Sequence, residues 1–377
     1  MTYKNMLKGS VALAAIAVLA APGVANAADN MSTGQSKVKL QIGGQINKAL
    51  LYADDGKSNR MMVVDNDVSS SRFFLAADAP VSKDVSFGAY MEYEFNSNSS
   101  ANVNLHAGNG DTGQANTNFL ERYAYVYVKH ATLGKLSLGQ LSEASDDAME
   151  QDLSGTGDSG VYSFPADLGG SILFRNKSTG ATSAAVNTVF SNFDGGRNDG
   201  IRYESPTLMG FTGILSYTSG GATGASVRYA NKFGPVDMVA GLGYSNYSSI
   251  NATTEDQLGG SVSFLHSSGL NLTGAMGRNN VKANSGLSNA ESWYVKAGYI
   301  AKIFGAGSTN FGIDFGKTKD LAATGDNAKT IGIGVVQYFE AIGASAYGQV
   351  RQYSLDRVGT ANFDDVLVVS TGLKVAF

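Results

Sequence analysis

The chain has 377 residues, a formal charge of −4, 47 glycines, 18 tyrosines, 18 phenylalanines, one tryptophan, five prolines and no cysteine, with mean hydropathy −0.08. The negative balance excludes a nucleic-acid binder on charge grounds, and the lack of cysteine excludes disulfide staples and thiol chemistry. Residues 1–27 read as a signal peptide: Lys4 and Lys8 precede the apolar run 10–21, and Pro22 leads into the small-x-small cleavage pattern Ala25-Asn26-Ala27. Cleavage there leaves one domain, residues 28–377, at charge −6. After residue 27 no stretch approaches the roughly 18 apolar residues of a membrane helix. An exported chain of this kind is periplasmic, secreted, or a β-barrel in an outer membrane.

The predicted elements alternate residue by residue. From 38 to 53, Val38, Leu40, Ile42, Gly44 and Ile46 point one way and Lys39, Gln41, Gly43, Gln45 and Asn47 the other. Residues 70–79 put Arg72 opposite Phe73, Leu75 and Ala77, and a tight turn at 80–84 follows. The segment 85–96 alternates cleanly between Phe87, Met91 and Tyr93 on one face and Tyr90, Glu92 and Glu94 on the other. An Asn/Gly-rich loop at 98–116 leads to 119–129, where Arg122, Ala124 and Val126 face away from Tyr123, Tyr125 and Tyr127. Residues 133–140 form the next strand.

Residues 141–170 break the pattern. They carry Glu143, Asp146, Asp147, Glu150, Asp152, Asp158 and Asp167 with no Lys, Arg or His. Unpaired like charges cannot sit in a dry core. They need water, as in a solvated surface loop, or a facing cationic surface, which a wet lumen lined with arginines supplies.

Strands then recur at 200–204, 211–218, 225–233, 236–247, 257–266, 271–280, 292–303, 309–318, 330–339, 345–355 and 366–377. Short turns such as 233–235 and 267–269 alternate with longer loops such as 247–255 and 317–329. A systematic difference between the two strand ends predicts an all-β, antiparallel up-and-down transmembrane barrel with unequal rims. The count is 16 if 171–191 extends the acidic loop, so that the third loop and its extension run over 142–198 and fold into the lumen. It is 18 if 172–175 and 184–190 form a wall hairpin; 16 is favoured.

Catalytic motifs are weak. Asp111-Thr112-Gly113 and Asp158-Ser159-Gly160 resemble aspartic-protease triplets but lie 47 residues apart among polar neighbours. Gly157-Asp158-Ser159-Gly160 has no partnering histidine motif. His106, His130 and His266 are isolated, with no metal-ligand spacing, so no catalytic residue, metal or cofactor is expected. Three arginines, Arg72, Arg122 and Arg202, fall on polar strand faces and complement the acidic loop in charge.

Taken together, the chain resembles the Gram-negative general diffusion porins over essentially its whole mature length. The resemblance is carried by Val38-Lys39-Leu40, Gly43-Gly44-Gln45-Ile46-Asn47, Ser71-Arg72-Phe73, Glu121-Arg122-Tyr123-Ala124-Tyr125-Val126, Gly139-Gln140 before the long loop, Ile201-Arg202-Tyr203-Glu204-Ser205-Pro206, and the terminal Phe377. It implies a homotrimeric, non-enzymatic barrel in the outer membrane of a Gram-negative bacterium, in contact with outer-membrane lipid and lipopolysaccharide. It also implies passive passage of small hydrophilic solutes and ions past a constriction of loop acids and wall arginines. By the same resemblance Arg72, Arg122 and Arg202 match the basic wall, Glu143, Asp146, Asp147, Glu150, Asp152 and Asp167 the acidic loop, and Phe377 the terminus read by the barrel assembly machinery. Pro165-Ala166-Asp167-Leu168-Gly169-Gly170 resembles the family's loop tip. The chain departs from the family in its longer loop extension and in Gln45, near where some relatives carry an inward lysine. The charge excess in the loop predicts mild cation selectivity. The competing readings are a sugar-specific 18-stranded channel, which should show an aromatic slide in its lumen, an outer-membrane barrel enzyme, and an adhesin, which would require a plugged lumen.

Overall fold

A computed structural model describes residues 38–106, 119–359 and 362–377; the signal segment, the Asp111–Gly113 triplet and part of the loop 98–116 lie outside the described residues. Its wall begins with β1 (Lys39–Asp54), which alternates as the sequence predicts: Ile42, Ile46 and Leu50 are exposed on the outer face, while Asn47, Ala49, Leu51 and Ala53 are buried on the inner one. β1 pairs with β2 (Asn59–Asp65) along Lys48–Asp54 and with β3 (Arg72–Pro80) along Lys39–Gln45. β2 and β3 are therefore two halves of one wall strand, interrupted by a single 3-10 turn at Asp67–Ser69.

The wall continues through β4 (Val85–Glu94), β5 (Leu120–His130) and β6 (Gly134–Ser142). The chain then leaves it for residues 143–196, which contain the small hairpin β7 (Leu173–Arg175) and β8 (Thr182–Ala185), and returns in β9 (Arg197–Glu204), which pairs directly with β6. Next come β10 (Phe211–Thr218), β11 (Thr223–Phe233), β12 (Val236–Asn246), β13 (Thr254–His266) and β14 (Leu270–Val281). β15 (Ala290–Phe304), β16 (Gly307–Lys319), β17 (Asn327–Phe339), β18 (Ala344–Asp356) and β19 (Val366–Ala376) complete the circuit. Each pairs antiparallel with its neighbour and β19 pairs back onto β1, giving a closed barrel of 16 wall strands. Closure leaves no unpaired edge, the condition for a sheet to cross a bilayer.

The 18-strand alternative is overturned. The hairpin β7–β8 forms a separate two-stranded sheet that joins no wall strand, and 186–189 form a single helical turn. In the other direction, the predicted strand at 70–79 missed its upper half, β2. Met61 and Val63 face outward while Met62 and Val64 are buried inward, so Met61-Met62-Val63-Val64 shows no alternation to read.

Closure is completed at the terminus. Phe377 and Gly44 exchange two backbone hydrogen bonds of 2.9 and 3.0 Å, and Leu373, Val375 and Phe377 form the outward row that alternation predicts. Gly44 leaves room for this, since a Cβ there would lie 3.1 Å from the Phe377 ring and 2.6 Å from the Arg72 carbonyl oxygen. Deleting Phe377 removes both closing bonds and the terminal aromatic of that row. The expected result is unassembled chain accumulating in the periplasm and a loss of heat-modifiable barrel in outer-membrane fractions; undiminished outer-membrane yield would remove any role for this residue in assembly.

Candidate functional site

Residues 143–196 turn inward and lie against the inner wall. Ala144 N donates to Ser216 Oγ at 2.8 Å, Gln151 N to Ser261 Oγ at 2.9 Å and Leu153 N to Ser263 Oγ at 3.0 Å. Farther along, Asn310 and Tyr338 donate to Gly155 O at 3.3 and 3.0 Å, and Ser345 donates to Asp158 at 2.8 Å. The loop thus follows the wall from β10 round to β18. Inward glycines make the track for it: a Cβ on Gly243 would lie 2.8 Å from Ser145 and Ala148, one on Gly259 2.6 Å from Met149, and one on Gly334 2.6 Å from Ser159.

The acids divide into two groups. Some hold the loop to the wall. Asp152 meets the fully buried Lys296 ammonium at 2.6 Å, and Lys296 also reaches Ser154 Oγ at 2.8 Å and Val161 O at 3.1 Å. Burial alone would raise the Asp152 carboxyl, but Lys296 outweighs it and holds it below its ordinary value. Asp158 pairs with Lys374 at 2.5 Å, and Glu143 accepts from Asn198 at 2.6 Å and Tyr247 at 2.7 Å.

The others face the lumen. Asp146 bonds Ser142 and lies 4.0 Å from Arg197. Glu150 is exposed and accepts from Asn192 at 2.9 Å, and Asp167 accepts from Tyr162. Among the described residues, Asp147, Glu150 and Asp167 have no cationic group within ion-pair distance. Desolvation by the packed loop, and next their carboxylate neighbours, push Asp146 and Asp167 up to about 7, and Glu150, whose carboxylate stays open to lumen water, is raised in the same direction.

The three predicted arginines all point inward, but not as the sequence implied. Arg72 lies opposite Gln45 in register and reaches Glu92 at 3.3 Å. Arg122 should share the outward face of Val126, which is 56% exposed. Instead a register shift opposite Glu92 and Tyr93 makes Arg122 an extra residue and turns it into the lumen, where it meets Glu92 at 2.7 Å and Glu94 at 2.5 Å. Strand β5 below the bulge is inverted relative to expectation: Tyr123 and Tyr125 are buried inside rather than facing lipid. Arg202 faces inward beside Glu204 at 3.9 Å.

Glu92 and Glu94 therefore compensate the basic wall, a role the sequence reading left out although it placed both on the polar face of β4. It also left out Arg197, Arg228 and Lys296. Arg228 donates to Asp146 O, and Arg197 lies 5.1 Å over the Tyr123 ring. Alternation in β11 and β15 would have found Arg228 and Lys296, as it found Arg202.

The weight carried by Lys296 is testable. Lys296→Met leaves Asp152, Ser154 Oγ and the Val161 carbonyl without this partner, a cost of about 3–5 kcal/mol for breaking a buried pair. The loop should become susceptible to protease in folded barrels, and Lys296→Met/Asp152→Leu should restore resistance in part. Unchanged protection in the single variant would show that the glycine track alone seats the loop.

The profile of the Gram-negative porins matches residues 12–357, while no curated protein sequence matches the chain. Among solved structures, the anion-selective porin from Comamonas acidovorans aligns with TM-score 0.60 at 16% identity over 90% of this chain and 100% of that one. OmpT of Vibrio cholerae aligns with TM-score 0.59 at 14% identity over 93% and 100%. Salmonella typhi OmpF in complex with daunomycin aligns with TM-score 0.55 at 13% identity over 90% and 98%. At these identities the structures speak to fold, and it is the profile match over most of a closed 16-stranded barrel that places this chain in the Gram-negative porin family.

Proposed function

We propose that this outer-membrane diffusion channel passes small hydrophilic solutes and ions through a charged eyelet and mildly prefers cations. The carrying observation is that, among the described residues, the lumen-facing carboxylates Asp147, Glu150 and Asp167 have no cationic group within ion-pair distance, while Arg72 and Arg122 are already paired with Glu92 and Glu94. Low-dielectric walls focus the field of such a set, and the transverse field between the two sides orients dipolar solutes. The chain catalyses nothing in this reading; its chemistry is exclusion and alignment. The preference is opposite in sign to that of the anion-selective Comamonas acidovorans porin, so selectivity is the quantity to measure.

In a planar bilayer under a salt gradient the reversal potential should report cation preference. The preference should grow as salt falls from about 0.1 M to 0.01 M and the Debye length rises from about 10 to 30 Å. Neutralising Asp146, Asp147, Glu150 and Asp167 to Asn or Gln should shift it toward anions. Replacing Arg72 and Arg122 by Ser should shift it the other way, since Glu92 and Glu94 lose their partners. Because the raised carboxyls are neutral below their pKa and ionise above it, cation preference should increase between pH 6 and pH 9, and this increase should vanish in the neutralised variant. A reversal potential indifferent to the acid set places the loop charges outside the conduction path.

The small outward residues Ala77 and Ala89 are opposite each other in register on β3 and β4. They fit close packing against further copies of the chain, and cyclic homo-oligomers satisfy such surfaces. A trimer is expected by light scattering in mild detergent; a monomer would count against this packing.

A further inference from the structure

The lumen is wet on one side and dry on the other. Toward the loop-bearing ends of β1, β2, β18 and β19 the inner face carries apolar residues, among them Leu51, Met62, Val64, Tyr353 and Val368, all of them buried. What buries them is the later part of the long loop: Ile172, Phe174, Val186, Val189 and Phe190 join them in one apolar cluster. An inner wall that bordered a water-filled channel would not be apolar and covered.

Polar contacts fix this segment at several points. Below it, the Tyr353 hydroxyl lies 2.7 Å from the carbonyl oxygens of both Pro165 and Leu168. Arg175 donates to the buried Asp55 at 2.7 Å, tying β7 to the turn between β1 and β2. On the opposite side Asn176 forms an antiparallel bridge with Phe363, flanked by Lys177 N to Asn362 O at 2.9 Å and Asp364 N to Arg175 O at 2.7 Å. The hairpin is thereby attached to the wall, to the first loop and to the last.

We propose that residues 171–190 are a fixed plug. It closes the loop-side mouth over β1, β2, β18 and β19, confines solutes to the sector carrying Arg72, Arg122, Arg202 and Arg228, and makes an apolar seat a determinant of the exclusion limit alongside the charged eyelet. This rests on the reading of the chain as a diffusion channel. It assigns to the loop two separable tasks: the acidic first part sets charge preference, and the apolar second part sets cross-section.

Leu173 and Ala185 face each other in register, so residues 174–184 can be excised and the ends joined through two glycines. The deletion should raise single-channel conductance at least about 1.5-fold, because conductance follows open cross-section, and should admit larger oligosaccharides in liposome swelling. Because the excision also removes Arg175 and Lys177, the reversal potential should move only slightly, and toward cations. Equal conductance and equal sugar cut-off in a deletion variant that still shows heat-modifiable barrels would overturn the plug.

The second test uses the absence of native cysteine. Asn176→Cys/Phe363→Cys joins a bridged pair of the kind a disulfide can span. Identical conductance and open-channel noise when oxidised and reduced support a fixed plug. Quieter or smaller currents on oxidation would show a mobile gate instead and overturn the proposal. A wild-type protein that conducts no ions at all would sink the channel reading itself and favour an adhesin, whereas a conducting wild type with an unaltered deletion variant sinks only the plug.

Discussion

Lys296 is the point on which the interior depends. A lysine with its side chain wholly removed from water is tolerated only where its charge is paired and its protons are placed. Here Asp152, Ser154 and the Val161 carbonyl supply that. All three acceptors belong to the loop, so the wall cation and the loop acid are each costly without the other. Their mutual need turns a long polar excursion into a fixed lining. Arg351 adds a second anchor farther along: paired within the wall to Asp314 of β16 at 2.6 Å, it donates to the loop's Gly160 O at 2.9 Å. The inward glycines provide the space that makes both contacts geometrically possible.

This division of labour changes the meaning of the acidic stretch. Seven acids without a basic neighbour in sequence suggest a large net negative field. Asp152 and Asp158 are spent on anchoring lysines, and Glu143 on neutral donors. The field at the narrow part comes from the remainder, and the elevated pKa values of Asp146, Glu150 and Asp167 reduce it further near neutral pH. A preference for cations that is mild and sensitive to pH follows from the arrangement more naturally than a strong fixed one.

Much of the barrel was legible because a membrane wall imposes period two, and most predicted strands lie within a few residues of their observed limits. The acidic segment was correctly separated from the wall for the same reason, since it lacked that period. Alternation is a local rule, however, and one extra residue inverts it. The bulge at Arg122 brought an arginine into the lumen that strict counting from Val126 places in lipid, and it turned Tyr123 and Tyr125 inward. Partner choice was illegible for a different reason: Glu92 and Glu94 are 30 and 28 residues from Arg122, and register across strands decides who meets whom.

The segment that escaped detection also marks where the plug would sit. Alternation distinguishes inside from outside only where the inside is wet. Where both faces are dry, a strand reads as a continuous apolar run, as in Met61-Met62-Val63-Val64 of β2 and Val366-Leu367-Val368-Val369 of β19. These runs flank β1 near the loop-bearing end, and Met62, Val64, Val366 and Val368 all enter the cluster that contains Phe174 and Phe190. Below, β1 and β3 return to polar inward residues such as Gln45 and Arg72. The loss of alternation over a few residues is thus a signal in its own right: within a barrel whose other strands alternate, an unalternating stretch locates the part of the lumen from which water has been excluded.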